Sequence, residues 1–424
     1  MIQQFTTKPD VIRAFANAMN LVQPEVESHH ERVAFLAYRL AEAAGMSEQH
    51  RHLAYLGGLT HDIGGFMIQG KVTLAEIERN ARMLSAAGAS LMRMLPVSLP
   101  IGEIVSASQT PWECIKRLPS HLKAPQQIGQ IVHLADAVSL MFKEETYVLN
   151  QIPDIQRCAH DLGENEFSPA VLAAFDKLCG QESVWMDMLY QPQIYLSLVD
   201  DGRWFSLDEM VKLTEFMSKI IDFRSPFTAM HSAGVAATAV SLAQLSGMSE
   251  DECKMMRIAG YLHDIGKLRI PNAILDKPGK LTDSEFNIMK EHAYYTHMLL
   301  KDVRGFEQVC AWAAFHHEKL TGSGYPFHLS REDIPFGSRI MTVADIFSAI
   351  TEDRPYRRGM EREKVIRILR EDVARDQISQ GITELLIENY ALIDERRAAE
   401  SAAASKKYQE SLAAQNEQPA AGKE

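Results

Sequence analysis

The chain has 424 residues, of which 46% are hydrophobic and 24% charged, and its formal net charge is −12. This length favours at least two domains, and the acidic balance argues against a broad basic surface for duplex nucleic acid. A small anionic substrate remains compatible with this charge, because a bound metal ion can reverse the local potential.

The five cysteines include no CxxC pair and indicate reduced thiols instead of a disulfide framework. No apolar run approaches the roughly 18 residues of a membrane span. The N-terminal segment lacks the basic and apolar regions of a signal peptide. We therefore expect a cytoplasmic protein without a membrane partner.

Short words recur along the chain at a constant offset. The stretch LTHDIGG at 59–65 returns as YLHDIGK at 261–267, 202 positions later (263 − 61 = 202), and GMSE at 45–48 returns as GMSE at 247–250 with the same offset. A His next to an Asp is a metal-ligand pairing that hydrophobic packing does not require. The recurrence indicates a duplication, and the lysine present in only one copy indicates that the copies have diverged in function.

The duplication extends further along each copy. The stretch IVHLADAVSLM at 131–141 resembles IMTVADIFSAI at 340–350, with an offset of 209 (345 − 136 = 209). We therefore predict two homologous domains at about 1–195 and 210–395. The residues from 398 to 424 are rich in Ala, Gln, Glu, Lys and Ser, which is typical of a frayed helix that runs into a disordered tail.

Both repeats have the apolar spacing of helices, so we predict an all-α fold of two tandem helical bundles. The bridge at 192–209 has β-branched and aromatic residues and a DDG turn, which favour a short strand or hairpin at the junction. Thr282, followed by Glu285, has the spacing of a capping box at the start of a helix.

The second repeat carries seven candidate metal ligands, five histidines and two aspartates, in clusters about 25–30 residues apart. This spacing lets successive helices of a bundle each direct a ligand inward. Seven nitrogen and oxygen donors exceed the need of one four-coordinate ion and suit two ions about 3.5–4 Å apart. The ligand chemistry is compatible with iron, manganese, nickel, cobalt or zinc. The seven candidates are His231, His263, Asp264, His292, His316, His317 and Asp345.

Four ordered motifs of this repeat resemble the HD-GYP family of cyclic dinucleotide phosphodiesterases. They read HDIGK, ILDKPGKLT, HHEKLTGSGYP and VADIFSAITEDRPYRR, and the resemblance covers about 215–390. It implies a helical HD domain with a C-terminal extension and metal-dependent hydrolysis of cyclic di-GMP to a linear dinucleotide or GMP. A few members of the family prefer the hybrid cyclic GMP-AMP.

The resemblance also implies two divalent metal ions, with iron or manganese favoured and nickel, cobalt or zinc as alternatives. One ligand set would comprise His231, His263, Asp264 and Asp345. The other would comprise Asp264, His292, His316 and His317, so that Asp264 bridges the two ions.

Lys267 and Asp264 are the residues to which we assign catalytic roles. Lys267 lies four residues after His263, about one helical turn on, where it could stabilise charge on the phosphate. The remaining candidates for substrate contact are Lys277, Arg354, Arg357, Gly324 and Tyr325. The loop containing Gly324 and Tyr325 is also a candidate contact for a protein partner.

Two positions depart from the family pattern. Thr321 stands where the family loop has Asp, which puts the loop or its partner in doubt but removes no ligand. Phe227 stands where some members have a Glu that supports a third metal ion, so we expect two ions.

The first repeat keeps a reduced ligand set, namely His29, His61, Asp62 and Asp136. Gly65 replaces the lysine, and the counterparts of the HHE and RPYR segments are absent. Hydrolysis of an anionic dinucleotide there is therefore not expected. We interpret it as a degenerate HD domain kept for regulation or as an interface, in which the four residues either hold one metal ion or form hydrogen bonds only.

The function predicted from these observations is a phosphodiesterase that ends second-messenger signalling by opening a cyclic dinucleotide, with cyclic di-GMP favoured. Selectivity for 3'3'-cyclic GMP-AMP is the first alternative, and a non-catalytic receptor for the dinucleotide is the second. A nucleoside triphosphate phosphohydrolase is disfavoured by the GYP and RPYR segments. The sequence leaves the oligomeric state undetermined.

Overall fold

The structure of the protein, a computed structural model, describes most of the chain. The described residues are 5–22, 28–67, 74–93, 100–118, 123–143, 146–190, 202–224, 231–353 and 358–416. Phe227, Arg354 and Arg357, together with positions 192–201 of the bridge, lie outside the described residues.

The chain divides into two units. One contains Phe15–Ile68 and Val72–Arg203, and the other contains Met1–Ala14, Gln69–Lys71 and Trp204–Glu424. The two repeats thus fall in different units, and the first residues of the chain belong to the unit of the second repeat.

In its described ranges, the N-terminal half is mainly helical, and a 3-10 helix, Ile63–Met67, follows the first HD pair. In chain order the helices are α1 (Lys8–Val22), α2 (His29–Ala43), α3 (Glu48–Thr60), α4 (Leu74–Arg93), α5 (Ile101–Ala107), α6 (Trp112–Ile115), α7 (Lys123–Met141), α8 (Val148–Leu162), α9 (Pro169–Cys179) and α10 (Glu182–Tyr190). Helix α2 packs against α3, α7 and α9 and forms the centre of this bundle.

The C-terminal half repeats this arrangement, with a 3-10 helix, Ile265–Arg269, after the second HD pair. Its helices are α11 (Leu207–Arg224), α12 (His231–Leu245), α13 (Glu250–Leu262), α14 (Asn272–Leu275), α15 (Asp283–Leu300), α16 (Glu307–Ala314), α17 (Phe336–Thr351), α18 (Arg362–Ala374), α19 (Gln380–Glu388) and α20 (Tyr390–Asn416). Helix α12 lies at the centre, because it packs against α13, α17 and α20. The predicted all-α fold is confirmed, and none of the described helices combines the length and apolar character that crossing a bilayer requires.

The strand at the junction is present, but its partner is distant in sequence. Strand β2 (Trp204–Phe205) pairs antiparallel with β1 (Thr6–Thr7), with Thr6 opposite Phe205. The ring of Phe5 lies 5.4 Å from that of Phe306, so the N-terminal strand also packs on the segment between α15 and α16. The described pairing is therefore formed with the N-terminus and not by a local hairpin.

Local signals place several helix ends. Thr282 and Glu285 form the predicted capping box at the start of α15, and Ser249 and Glu252 form a second one at the start of α13. Each box satisfies two backbone N–H groups that the first helical turn leaves without partners.

The last helix extends further than the sequence predicted. Helix α20 continues to Asn416, through most of the segment expected to form a disordered tail, and the positions after it lie outside the described residues. Two reasons account for the helix. The segment is rich in Ala, Glu and Lys, which have high helix propensity, and the side chains of Arg397 and Ser401 are buried.

The glycine of each HDIG word permits a close approach of two backbones. A Cβ added to Gly266 would lie 1.9 Å from the carbonyl oxygen of His292, and a Cβ added to Gly64 would lie 1.9 Å from that of Leu84. The glycine thus lets the 3-10 helix lie directly against α4 in the first repeat and against α15 in the second.

We predict that Gly266→Ala lowers the free energy of unfolding by about 1–3 kcal/mol, because the added methyl group must displace backbone atoms of α15. Chemical denaturation followed by circular dichroism, in the presence of a chelator, measures this. Gly381→Ala is the matched control, since no heavy atom lies within 4 Å of its Cβ position. An unchanged denaturation midpoint for Gly266→Ala would contradict the prediction.

Candidate metal centre

The seven candidate ligands of the second repeat come from five segments of one unit. They are His231 at the start of α12, His263 and Asp264 after α13, His292 in α15, His316 and His317 after α16, and Asp345 in α17. All but the half-buried His317 are buried. Helix packing around α12 therefore brings side chains that are far apart in sequence into one region.

Three of these histidines are oriented by the same hydrogen bond. The Nδ1 atom of each donates to the carbonyl oxygen of the residue three positions earlier, at 2.6–2.8 Å. The pairs are His263 with Gly260, His292 with Met289, and His316 with Ala313. Because a carbonyl oxygen only accepts, this bond places the proton on Nδ1 and leaves the lone pair of Nε2 available to a metal ion.

The carboxylate of Asp264 lies between His263 and His292. Its Oδ2 atom lies 3.3 Å from Nε2 of His263 and 2.5 Å from Nζ of Lys267, while its Oδ1 atom lies 3.5 Å from Nε2 of His292. Lys267 belongs to the 3-10 helix, so it contacts Asp264, three residues earlier. The lysine therefore faces the carboxylate that the sequence proposes as the bridging ligand.

The donor atoms fall into two groups. Nitrogen atoms of His292, His316 and His317 all lie within 4.8 Å of one another. Donor atoms of His231, His263 and Asp264 satisfy the same distance. One group consists of three imidazoles, and the other combines two imidazoles with a carboxylate. Divalent transition metals prefer such nitrogen and oxygen donors.

His231 lies between two carboxylates. Its Nε2 atom is 3.0 Å from Oδ1 of Asp345, and its Nδ1 atom is 3.0 Å from Oε2 of Glu352. Burial disfavours the charged imidazolium, but the carboxylates of Glu352 and Asp345 outweigh it and raise the pKa of His231 to about 10.

The remaining charges have the signs that metal binding requires. Burial lowers the pKa of His292 to about 4 and that of His316 to about 3, so both imidazoles are neutral near pH 7. Burial opposes ionisation of Asp264, but His263 and Lys267 hold its pKa well below the usual range. Neutral imidazoles and ionised carboxylates are the forms that bind metal ions.

One ligand nitrogen of the site has no hydrogen-bond partner among the described residues, which supports the fit of the site to a metal ion. Nε2 of His263 is buried and has no hydrogen-bond partner within the part of the chain that the structure describes. An unpaired polar atom in such a position costs about 1–3 kcal/mol. A metal ion coordinated by this atom and its neighbours would satisfy it.

The GYP loop is held against the ligands by a carboxylate of the HHE motif. Glu318 accepts hydrogen bonds from the backbone N–H groups of Phe327, at 2.7 Å, and of Leu329, at 3.1 Å. The ring of Tyr325 lies 4.8 Å from that of His317. A Cβ on Gly324 would lie 2.4 Å from Cα of Glu318, which explains the need for glycine there.

Other residues singled out in the sequence lie in different surroundings. The ammonium group of Lys277 pairs with Glu285 in the first turn of α15, at 2.6 Å. Thr321, at the position where the family has Asp, forms a backbone bridge with Ser330, and its hydroxyl lies 2.8 Å from that of Ser323. Arginines 354 and 357 lie outside the described residues, so their predicted role stays a prediction.

The first repeat brings its four candidate residues together. Oδ1 of Asp136 lies 3.2 Å from Nε2 of His29 and 3.4 Å from Nε2 of His61, while Oδ2 of Asp62 lies 3.3 Å from the same His61 nitrogen. Donor atoms of His29, His61 and Asp136 all lie within 4.8 Å of one another. The side-chain amide of Gln109 donates to Oδ2 of Asp136 at 3.1 Å.

The orientation of His61 reproduces that of its counterpart in the second repeat. Nδ1 donates to the carbonyl of Gly58 at 2.8 Å, and Nε2 is buried without a hydrogen-bond partner among the described residues. His30 adds a third ring, 5.6 Å from those of His29 and His61, and burial lowers its pKa to about 3. His30 has no counterpart in the second repeat, where Ser232 takes its place (30 + 202 = 232).

The sequence interpretation did not identify Glu352, Glu318 or Gln109 as members of these sites. A signal existed for Glu352, which follows Asp345 by seven residues, two helical turns on the same face. None existed for Gln109, because its contact with Asp136 is set by the packing of α5 on α7.

Comparison with known proteins finds an HD domain in each repeat and related phosphodiesterases. HD domain family models match residues 215–378 and residues 26–141. The 3'3'-cGAMP-specific phosphodiesterase 1 of Vibrio cholerae is 28% identical over 392 residues, which cover 88% of this chain and 90% of that protein. The cyclic di-GMP phosphodiesterase PA4108 of Pseudomonas aeruginosa is 39% identical over 146 residues, which cover 34% of this chain and 35% of that protein.

A solved structure shows the same fold. The crystal structure of a cyclic GMP-AMP-specific phosphodiesterase of V. cholerae, V-cGAP3, matches with a TM-score of 0.63 and 22% identity. The match covers 92% of this chain and 98% of that one. The two proteins therefore share the helical fold.

We predict that Glu318→Gln loosens the GYP loop, because the amide can accept only one of the two backbone N–H groups and leaves the other unsatisfied at a cost of about 1–3 kcal/mol. Hydrogen exchange at Phe327 and Leu329, followed by mass spectrometry, should become faster. Glu332→Gln, an exposed change nearby, is the control. Equal exchange in Glu318→Gln and the unaltered protein would show that Glu318 does not hold the loop.

Proposed function

We propose that this chain, which contains two HD domains and is homologous to the HD-GYP cyclic dinucleotide phosphodiesterases, is itself a metal-dependent hydrolase of a cyclic dinucleotide, with the second repeat as its catalytic domain. The observation that carries the proposal is the convergence of two donor groups around one carboxylate and one lysine. The members of this constellation are His231, His263, Asp264, Lys267, His292, His316, His317 and Asp345.

The proposed cofactor is a pair of divalent ions, with iron or manganese favoured. Two donor groups that share the region of Asp264 support two ions, and imidazole nitrogens with carboxylate oxygens suit these metals. When bound in such a site, two ions supply a water of lowered pKa and positive charge for the phosphodiester oxygens.

The residues of this chain divide the remaining tasks. The hydrogen bonds from Nδ1 to backbone carbonyls hold the imidazoles of His263, His292 and His316 in place, so that metal binding requires little rearrangement. Lys267 places an ammonium group beside Asp264, where it can also stabilise negative charge on a phosphate in the transition state. Tyr325, whose ring lies 4.8 Å from that of His317, offers a ring on which a base could pack.

The tandem organisation supports 3'3'-cyclic GMP-AMP as a substrate beside cyclic di-GMP. The relative that matches across both repeats is named for 3'3'-cGAMP, whereas the match to the cyclic di-GMP relative covers 35% of that protein. The expected product is the linear dinucleotide, with the mononucleotide as a further product. Such second messengers act inside cells, so we propose a cytoplasmic location.

For the first repeat we propose a role without hydrolysis. Gly65 takes the place of Lys267, and the amide of Gln109 occupies one oxygen of Asp136. The remaining donors of His29, His61, Asp62 and Asp136 suit at most one ion. A regulatory or interface function of this repeat follows from the loss of the phosphate-stabilising lysine.

We expect the double substitution His263→Ala and Asp264→Ala to abolish hydrolysis and to lower the metal content, because it removes ligands from both donor groups. The corresponding change in the first repeat, His61→Ala with Asp62→Ala, should change the rate by less than about tenfold, since no reacting group is lost. Initial rates and elemental analysis of the purified proteins measure both.

The control for this pair is His160→Ala with Asp176→Ala, which removes an exposed His–Asp contact of 2.8 Å. Activity in the second-repeat variant together with its loss in the first-repeat variant would mean that the assigned roles are reversed.

The substrate assignment is tested with the manganese- or iron-loaded protein, offered cyclic di-GMP, 3'3'-cyclic GMP-AMP and cyclic di-AMP in parallel. We expect linear products from the first two and a higher kcat/KM for 3'3'-cyclic GMP-AMP, measured by chromatography. Binding of a dinucleotide without product, with the metal content confirmed, would overturn the enzyme proposal in favour of a receptor.

A further inference from the structure

We infer that Glu352 is a positioning residue of the second-repeat metal centre: its carboxylate holds the imidazole of His231 so that Nε2 faces the other ligands. The inference rests on the proposed metal-dependent function. Oε2 of Glu352 lies 3.0 Å from Nδ1 of His231, and Oδ1 of Asp345 lies 3.0 Å from Nε2. The His231 and Glu352 side chains are both buried, so water does not replace the contact.

The Nδ1 partner of His231 differs in kind from that of the other ligands. The other candidate ligands of the second repeat with a described Nδ1 bond are His263, His292 and His316. Each donates to the carbonyl oxygen of the residue three positions earlier. His231 is the first described residue of α12, and its Nδ1 atom faces the carboxylate of Glu352 instead of a backbone carbonyl. Glu352, which directly follows α17, is thus the Nδ1 partner of His231, as a backbone carbonyl is for the other three histidines.

The Nδ1 atom of the first ligand histidine has a different partner in each repeat. In the first repeat, Nδ1 of His29 lies 3.1 Å from the hydroxyl of Ser139, three residues after Asp136. The second repeat also has a serine at this position, Ser348 (139 + 209 = 348), yet its described side-chain contact is with Thr238, at 3.4 Å. The carboxylate of the second repeat has therefore replaced an available hydroxyl as the partner of the histidine.

The replacement changes what the partner does. A serine hydroxyl can donate or accept, so it leaves the protonation of Nδ1 open, whereas a carboxylate only accepts, so Nδ1 must carry a proton where it contacts Glu352. A carboxylate also makes Nε2 a more basic ligand. The first-repeat counterpart of Glu352 is Lys143 (143 + 209 = 352), which has the opposite charge.

The packing around Glu352 shows that its position is not favourable for folding. A Cβ on Gly234 would lie 2.9 Å from Oε1 of Glu352, so glycine in α12 makes room for the carboxylate. Oε1 itself is buried and has no hydrogen-bond partner in the described part of the chain. A buried carboxylate with one unsatisfied oxygen costs stability, which a role in ligand positioning accounts for.

The test compares Glu352→Ala and Glu352→Gln with the unaltered protein. We expect the alanine variant to lose about 10–100-fold in affinity for Mn²⁺, measured by equilibrium dialysis at one pH. The glutamine variant should lose less, because its carbonyl still accepts from Nδ1 although the charge is gone. Thermal denaturation of the metal-free proteins should show no loss of stability in Glu352→Gln.

Glu361→Gln, an exposed change at the start of α18, is the control and should bind Mn²⁺ as the unaltered protein does. In steady-state kinetics at saturating Mn²⁺, activity of the alanine variant should recover towards the original kcat with KM for the dinucleotide unchanged.

The outcomes separate this inference from the proposed function. Normal Mn²⁺ affinity in Glu352→Ala, with hydrolysis by the unaltered protein intact, would overturn the positioning role and leave the function standing. Equal affinity loss in Glu352→Gln and Glu352→Ala, matched by equal losses of thermal stability, would also overturn it, since the role would then be structural. Failure of the unaltered protein to bind Mn²⁺ or hydrolyse a dinucleotide would overturn both.

Discussion

The contacts of the Asp264 carboxylate are the interaction on which the second-repeat site depends. One oxygen faces His292, and the other faces His263 and Lys267, so a single buried charge links both donor groups. Burying a carboxylate is costly unless positive or donor groups surround it. Lys267 is the positive partner, and the close approach at Gly266 sets the 3-10 helix directly against the α15 turn that carries His292.

The two repeats show how one scaffold can keep a ligand geometry and lose the chemistry around it. The His61–Asp62 distance equals the His263–Asp264 distance, 3.3 Å in both repeats. The surroundings differ, because the amide of Gln109 donates to Asp136 in the first repeat. An amide nitrogen satisfies a carboxylate oxygen but cannot act as a metal ligand through that nitrogen.

The parts of the fold that depend on neighbouring residues could be predicted from the sequence. The capping box of Thr282 and Glu285 is one, since both partners lie within one helical turn. The pairing of Trp204–Phe205 with Thr6–Thr7 could not be predicted, because the strands are nearly 200 residues apart and two-residue strands have almost no pattern of their own. The helical end of the chain was underestimated, because composition does not reveal that Arg397 is buried against other helices.

The same division holds within the site. The ligand positions follow from short ordered motifs, but the partners that orient them follow from tertiary packing. Nothing in the local sequence separates Glu352, which contacts His231, from an exposed glutamate in the same segment. Lys277 illustrates the converse: a lysine in a family motif was assigned to substrate, and the structure shows it paired with Glu285.

Two of the unsatisfied polar atoms in the described part of this protein lie among the candidate metal ligands. Nε2 of His263 and Nε2 of His61 are both buried without hydrogen-bond partners in the described ranges. Each such atom destabilises the folded state by about 1–3 kcal/mol, a cost that hydrophobic side chains of similar volume would avoid. The first repeat has Gly65 in place of Lys267, yet among its described residues it keeps a buried, unpaired Nε2 atom at His61. In the proposed role of the first repeat, a ligand bound by His29, His61 and Asp136 would remove this cost.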